Sequence, residues 1–141
     1  MSAVTHTASG RDLLSSWRIT ALLYGIPSVA IVATFVRIST TSSAPLPLPD
    51  AARAAVWAIA CAVMAAACLV NAARCGRIHC YFTGPFLLAV GAAAILLGVG
   101  LLPLGQNGWT ILGGVLLFGT AALMTIPEWL LGRYRRPGVR A

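Results

Sequence analysis

Between Arg18 and Arg37 the chain reads ITALLYGIPSVAIVATFV, residues 19–36, eighteen positions without a charge. At about 1.5 Å per residue, a helix of that length reaches roughly 27 Å, close to the hydrocarbon thickness of a bilayer. This stretch decides the fold, because lipid offers the backbone no hydrogen-bond partner and a helix satisfies every group internally. Pro27 lies near its middle and is expected to kink it. A cleaved signal peptide has a shorter apolar region, and the small-residue site Ser42-Ser43-Ala44 is followed by Pro45, which disfavours cleavage. The stretch therefore reads as an uncleaved span.

Three more apolar runs follow, over about residues 54–73, 85–102 and 109–126. The 141 residues are 59% hydrophobic and 9% charged, whereas a soluble domain carries about 25% charged residues. The expected fold is all-α, one integral membrane bundle of four transmembrane helices (18–37, 54–73, 85–102 and 109–126). Residues 1–16 form a short polar tail in which His6 stands alone. Residues 39–50, STTSSAPLPLPD, alternate proline and read as an extended connector. The chain closes on a basic tail, residues 132–141.

The net charge is +7, and all ten basic residues are arginine. They sit at the ends of apolar runs, where arginine anchors to headgroups and sets topology, so the charge does not argue for a nucleic-acid partner. With the N-terminus cytoplasmic, the inside segments hold Arg11, Arg18, Arg74, Arg77, Arg133, Arg135, Arg136 and Arg140, and the outside segments hold only Arg37 and Arg53. This bias places both termini in the cytoplasm and the protein in the cell (inner) membrane. Trp17, Trp57, Trp109 and Trp129 fall at span ends, as an aromatic belt requires.

Chemistry concentrates in residues 71–85, NAARCGRIHCYFTGP. Cys75, His79 and Cys80 lie within six residues, flanked by Arg74 and Arg77. Gly76 is a natural stop for the second span, and Thr83-Gly84-Pro85 reads as the start of the third. The residues between form a cytoplasmic loop, in which thiols stay reduced. Thiolate and imidazole together suit soft or borderline ions, Cu(I), Hg(II) or Zn(II), with Cys75 and Cys80 as ligands and His79 as a third. On a continuous helix Cys75 and Cys80 would point about 140° apart, so chelation requires the break at Gly76. The arginines and the amino end of the third span favour the thiolate form.

Cys61, Met64 and Cys68 recur at i, i+3, i+7 and share a face of the second span that leads toward Cys75, a candidate ion relay. Gly84, Gly91 and Gly98 recur every seven residues on the third span, a pattern for close helix packing. Glu128 is a candidate to pair with an inner-face arginine or to carry protons, and its place at a helix end rather than mid-membrane favours pairing or simple exposure. No Ser/His/Asp set, phosphate loop, paired carboxylates or H-E-x-x-H occurs, which argues against an enzyme of hydrolytic or phosphoryl-transfer type.

The C-G-R-x-H-C-x-x-T-G-P pattern of residues 75–85 resembles a signature of small uncharacterised bacterial membrane proteins. The overall plan is also similar to small mercuric-ion transport proteins, whose cytoplasmic cysteine pair Cys75 and Cys80 would match. The first span here lacks the vicinal cysteines with which those proteins begin. The reading is a soft-metal transport or handling protein acting through thiol ligands. Two alternatives stand beside it: a non-catalytic subunit or assembly factor of a larger membrane complex or homo-oligomer, and a membrane thiol oxidoreductase using a Cys75–Cys80 disulfide.

Overall fold

The computed structural model describes residues 16–40 and 50–131, with the side chains of 35–40, 75 and 106 outside that description. The tail with His6, the connector from 41 to 49 and the basic tail 132–141 also lie outside the described residues. The described chain is all-α, and it forms a bundle of four helices long and apolar enough to cross a membrane. It is a multi-pass membrane protein.

The first span is composite. Helix α1, Trp17–Thr20, runs into a π turn, Ala21–Gly25, and continues as α2, Ile26–Thr40. Ile26 N–H bonds the carbonyl of Ala21, five residues back. Pro27 follows at once and has no N–H to offer Leu23. The expected disturbance at Pro27 therefore takes the form of a π turn just upstream, which re-aims Tyr24.

The second span, α3, covers Asp50–Cys75, and the third, α4, covers Ile78–Gly98. The loop expected over residues 76–84 thus shrinks to Gly76 and Arg77. Gly76 takes φ 68, and its N–H bonds the Ala72 carbonyl at 2.9 Å, a left-handed helix stop that a side chain would strain. Arg77 is extended, and Ile78 opens the next helix. Thr83-Gly84-Pro85 therefore lies inside α4, not at its start. Pro85 forfeits only one ladder bond, to Tyr81, and its ring is on the exposed side of the helix.

At the far end α4 stops at Gly98, four residues before the expected 102. Gly100, at φ 76, donates to Leu97 at 3.1 Å while Leu101 donates to Leu96 at 2.9 Å, the two bonds of a Schellman motif. A 3-10 turn, Gly105–Asn107, leads into α5, Gly108–Leu131. This fourth span runs past Pro127 rather than ending before it, and so carries Glu128 within the helix.

The seam between α3 and α4 is the core. Half of the Asp50–Arg74 span is buried inside the bundle, against 11% of Gly108–Leu131. A Cβ on Gly84 would press on Leu69, one on Gly91 on Cys61, and one on Gly98 on Ala54 and the Asp50 carbonyl. These three glycines let α4 lie against α3 of the same chain.

Two tryptophans differ from the belt reading. Trp17 and Trp129 face outward, whereas Trp57 and Trp109 are buried and meet edge to face at 5.6 Å. Trp57 Nε1 donates to Thr34 Oγ1 at 3.0 Å, and Trp109 Nε1 donates to Asp50 Oδ1 at 3.2 Å. Arg53 pairs with Asp50 at 3.4 Å and lies 5.1 Å from the Trp109 ring centroid. Their indoles are satisfied by the bundle, so they lock α2, α3 and α5 together at one end.

Gly98→Leu should lower stability in detergent by about 1–3 kcal/mol, because α4 must lift off Ala54. Gly114, with no neighbour within 4 Å of a new Cβ, should accept alanine within about 0.5 kcal/mol. Equal thermal midpoints for the two variants would show that the seam does not depend on close approach.

Candidate functional site

The two-residue turn at Gly76 and Arg77 makes α3 and α4 antiparallel. It brings the last turns of α3 beside the first turns of α4. Cys68 on α3 and Cys80 on α4 are free thiols with no exposed surface. Both belong to the buried core of the bundle near the Gly76–Arg77 turn. Tyr24, aimed by the π turn of the first span, places its hydroxyl 2.8 Å from Cys68 Sγ. Asn71, also fully buried, donates from Nδ2 to Cys80 Sγ at 3.8 Å.

Next to the thiols stands an ionic cluster. His79 directly precedes Cys80 on α4, and its Nδ1 lies 2.6 Å from Glu128 Oε1 on α5. Arg77 Nε approaches the same carboxylate oxygen at 3.4 Å. Glu128 thus pairs with an arginine of its own end, as the sequence suggests, but its shorter partner is His79. Tyr81 OH donates to the Ala72 carbonyl at 3.1 Å and braces the turn. Thr83 Oγ1, one helical turn past Cys80 on the same buried side, has no hydrogen-bond partner among the described residues.

The sequence-selected residues divide as follows. Cys80 and His79 belong to the site, but on a helix rather than in a loop. Cys68, read as a relay residue, joins Cys80 in the buried core. The side chain of Cys75 lies outside the described residues. Cys61 is buried against Gly91, and Met64 Sδ takes a 4.0 Å contact from the Ser28 hydroxyl. Cys61 is two turns, roughly 10 Å, from Cys68 along the axis, too far to share one ion with it. Arg74 is exposed on the last turn of α3, and Arg77 spends its charge on Glu128. Among the described residues no group of three or more His, Cys, Asp or Glu side chains is arranged to hold a metal ion.

Three members escape sequence reading. Tyr24 sits in an apolar span 44 residues from its partner, and only the following Gly-x-Pro hints at a local irregularity. Asn71 is a polar residue near the end of an alanine-rich span, a signal that was legible. The His79–Glu128 pairing crosses 49 residues, and nothing local announces it.

No family model, curated protein or solved structure matches the chain. Chemistry must therefore be argued from the site. The residues gathered at this end are two buried thiols, one bonded to a phenol and one to an amide, and an imidazole–carboxylate pair. They form no oxyanion hole and no hydrolytic constellation.

Glu128→Ala would leave His79 and Arg77 without their shared acceptor in a largely buried setting. It should cost about 1–3 kcal/mol in detergent unfolding, while Glu128→Gln, which still accepts from His79, should cost less. An unchanged midpoint for the alanine variant would mean that α5 docks on apolar contacts alone.

Proposed function

We propose that this chain is a membrane thiol–disulfide exchange protein whose working pair is Cys68 and Cys80. The observation that carries the reading is that two free, fully buried thiols stand on the adjoining helices α3 and α4 in one core, each held by its own polar neighbour. The oxidoreductase alternative thereby keeps Cys80 and exchanges Cys75 for Cys68. Among the described residues no group of three or more His, Cys, Asp or Glu side chains is arranged to hold a metal ion, so a soft ion that used this pair would be two-coordinate.

The charge bias supports placement in a cell (inner) membrane with both termini cytoplasmic, eight arginines against two. The thiol pair then lies toward the cytoplasmic side of the bilayer. Its reaction partner is a disulfide. Cys80, as thiolate, attacks one sulfur of the partner's S–S bond, and the other partner sulfur leaves as a thiolate. Cys68 then displaces the first partner sulfur from Cys80. The protein's S–S bond forms and the partner's breaks. The partner is reduced by two electrons, and the two thiol protons pass to its two thiolates. In the reverse direction the protein is the electron acceptor.

The test uses full-length protein in detergent with Cys61→Ser and Cys75→Ser, so that only the pair remains. Oxidised glutathione is added, and the Cys68–Cys80 cross-linked peptide is sought by mass spectrometry. It should form reversibly and vanish in Cys68→Ser. Failure of any cross-link to form would defeat the exchange reading. If the same protein instead retained Cu(I) against a competing chelator, with affinity lost in Cys68→Ser, metal handling would replace it.

A further inference from the structure

Exchange requires a partner disulfide to reach two sulfurs that have no exposed surface. The cytoplasmic end above them is tied shut. Gly76 and Arg77 join α3 to α4 in a two-residue turn, Tyr81 OH holds the Ala72 carbonyl at 3.1 Å, and Arg77 and His79 both contact Glu128 of α5. Asn71 and Ala72, on α3 between Cys68 and the turn, are buried as well. Cys68 lies two turns, about 10 Å of helical rise, before the last residue of α3, Cys75. With Arg74 and Arg77 at the interface, the Cys68 thiol stands inside the hydrocarbon layer.

The first span covers Cys68, and its two halves are held unequally. The outer half buries Pro27, Ile31 and Thr34, and Thr34 accepts from Trp57 at 3.0 Å. The inner half, Trp17–Gly25, has no buried residue, and it meets the bundle through the Tyr24 hydroxyl, 2.8 Å from Cys68 Sγ. Between the halves lies the π turn, where Ile26 N–H reaches back to Ala21 and Pro27 offers no N–H to Leu23. The ladder that would stiffen a regular helix is already interrupted there. Resting on the exchange reading, we infer that Trp17–Gly25 is a flap over Cys68 that swings on the π turn, and that the partner of the thiol pair is an uncharged disulfide arriving from the lipid phase. Leu22 of the flap is exposed, as are Leu69 and Val70, which follow Cys68 on α3. A gap with such a border admits an apolar disulfide. It refuses a charged one, whose carboxylates would have to shed water in hydrocarbon.

The test compares two disulfides on full-length protein in lipid nanodiscs, where both membrane faces meet solvent. Dithiodipyridine is uncharged, and oxidised glutathione is charged. The Cys61→Ser/Cys75→Ser/Cys80→Ser protein keeps Cys68 alone. Its sulfur forms a mixed disulfide with one half of the reagent, and the other half leaves as a thione that carries the thiol proton. Each rate is divided by that of free cysteine with the same reagent. On that scale dithiodipyridine should exceed oxidised glutathione by about a hundredfold. Tyr24→Phe should raise the dithiodipyridine rate about fivefold, because the flap loses its bond to Cys68. Thr34→Val, which loosens the outer half instead, should leave it within about twofold. Equal scaled rates for the two disulfides would overturn the lipid route. No acceleration in Tyr24→Phe, or the same acceleration in Thr34→Val, would overturn the flap.

The protein that keeps the pair separates this inference from the exchange reading. In Cys61→Ser/Cys75→Ser, dithiodipyridine should carry the reaction through to a Cys68–Cys80 cross-link, with both halves of the reagent released as thiones bearing the two thiol protons. If Cys68 alone shows the preference for the uncharged disulfide but the pair never cross-links, the exchange reading fails and the route through lipid stands. If the pair cross-links as readily with oxidised glutathione as with dithiodipyridine on the scaled rates, exchange stands and the uncharged partner is refuted.

Discussion

The close approach of α4 to α3 governs the rest of this structure. In a bilayer the hydrophobic effect gives helices little reason to prefer each other over lipid, so association depends on how near two backbones can come. Gly84, Gly91 and Gly98 lie against Leu69, Cys61 and Ala54; a Cβ on Gly98 would collide with Ala54 and crowd the Asp50 carbonyl, whereas on Gly84 and Gly91 it would press on the side chains of Leu69 and Cys61. The alanines of α3 answer them, with Ala54, Ala60, Ala65 and Ala72 buried. This tight seam buries Cys68 on α3 and Cys80 on α4 in one core. The first span and α5 are then laid on a two-helix platform.

What holds the outer helices is polar. One cluster, Asp50, Arg53, Trp57, Trp109 and Thr34, ties α2 and α5 to α3 at one end. The other, Tyr24, Cys68, Asn71, Cys80, His79, Arg77 and Glu128, ties the first span and α5 to the platform at the other end. Buried polar groups are costly in an apolar medium unless partnered, and here most are partnered across helices. Each cluster therefore acts as a clasp of fixed register. The first span uses its π turn for this purpose, since a regular helix would carry Tyr24 past Cys68 by a fraction of a turn.

Legibility followed the range of each interaction. The four spans are readable because hydrocarbon thickness and helical rise are local constraints on composition, and the stop at Gly76 is readable because only a few residues tolerate its backbone. The start of α4 was misread for a physical reason. Pro85 suits a first helical turn, yet an interior proline loses a single bond, and α4 absorbs that loss on its exposed side. Pro127 misled in the same way, which hid Glu128 inside a helix. The Cys61–Met64–Cys68 stripe was readable as a face, but periodicity does not say what the face meets. The partners of Cys68 and His79 are 44 and 49 residues distant, set by the α3–α4 register and the docking of α5, neither of which has a local signature.

Burial and reactivity pull against each other at this site. Full burial keeps two thiols away from adventitious oxidants and lets weak sulfur hydrogen bonds persist, but it also denies access to a partner disulfide. The helices flanking the site differ in how firmly they are held. The α3–α4 platform is welded by backbone contact, whereas the first span, of which only 17% of the Trp17–Thr34 stretch is buried, rests on Tyr24, Ser28 and Thr34. Any opening that exposes Cys68 with least loss of packing is thus a movement of the first span, with the Tyr24–Cys68 bond as the contact broken. The π turn gives that movement a natural pivot, because the ladder is already irregular between Ala21 and Ile26.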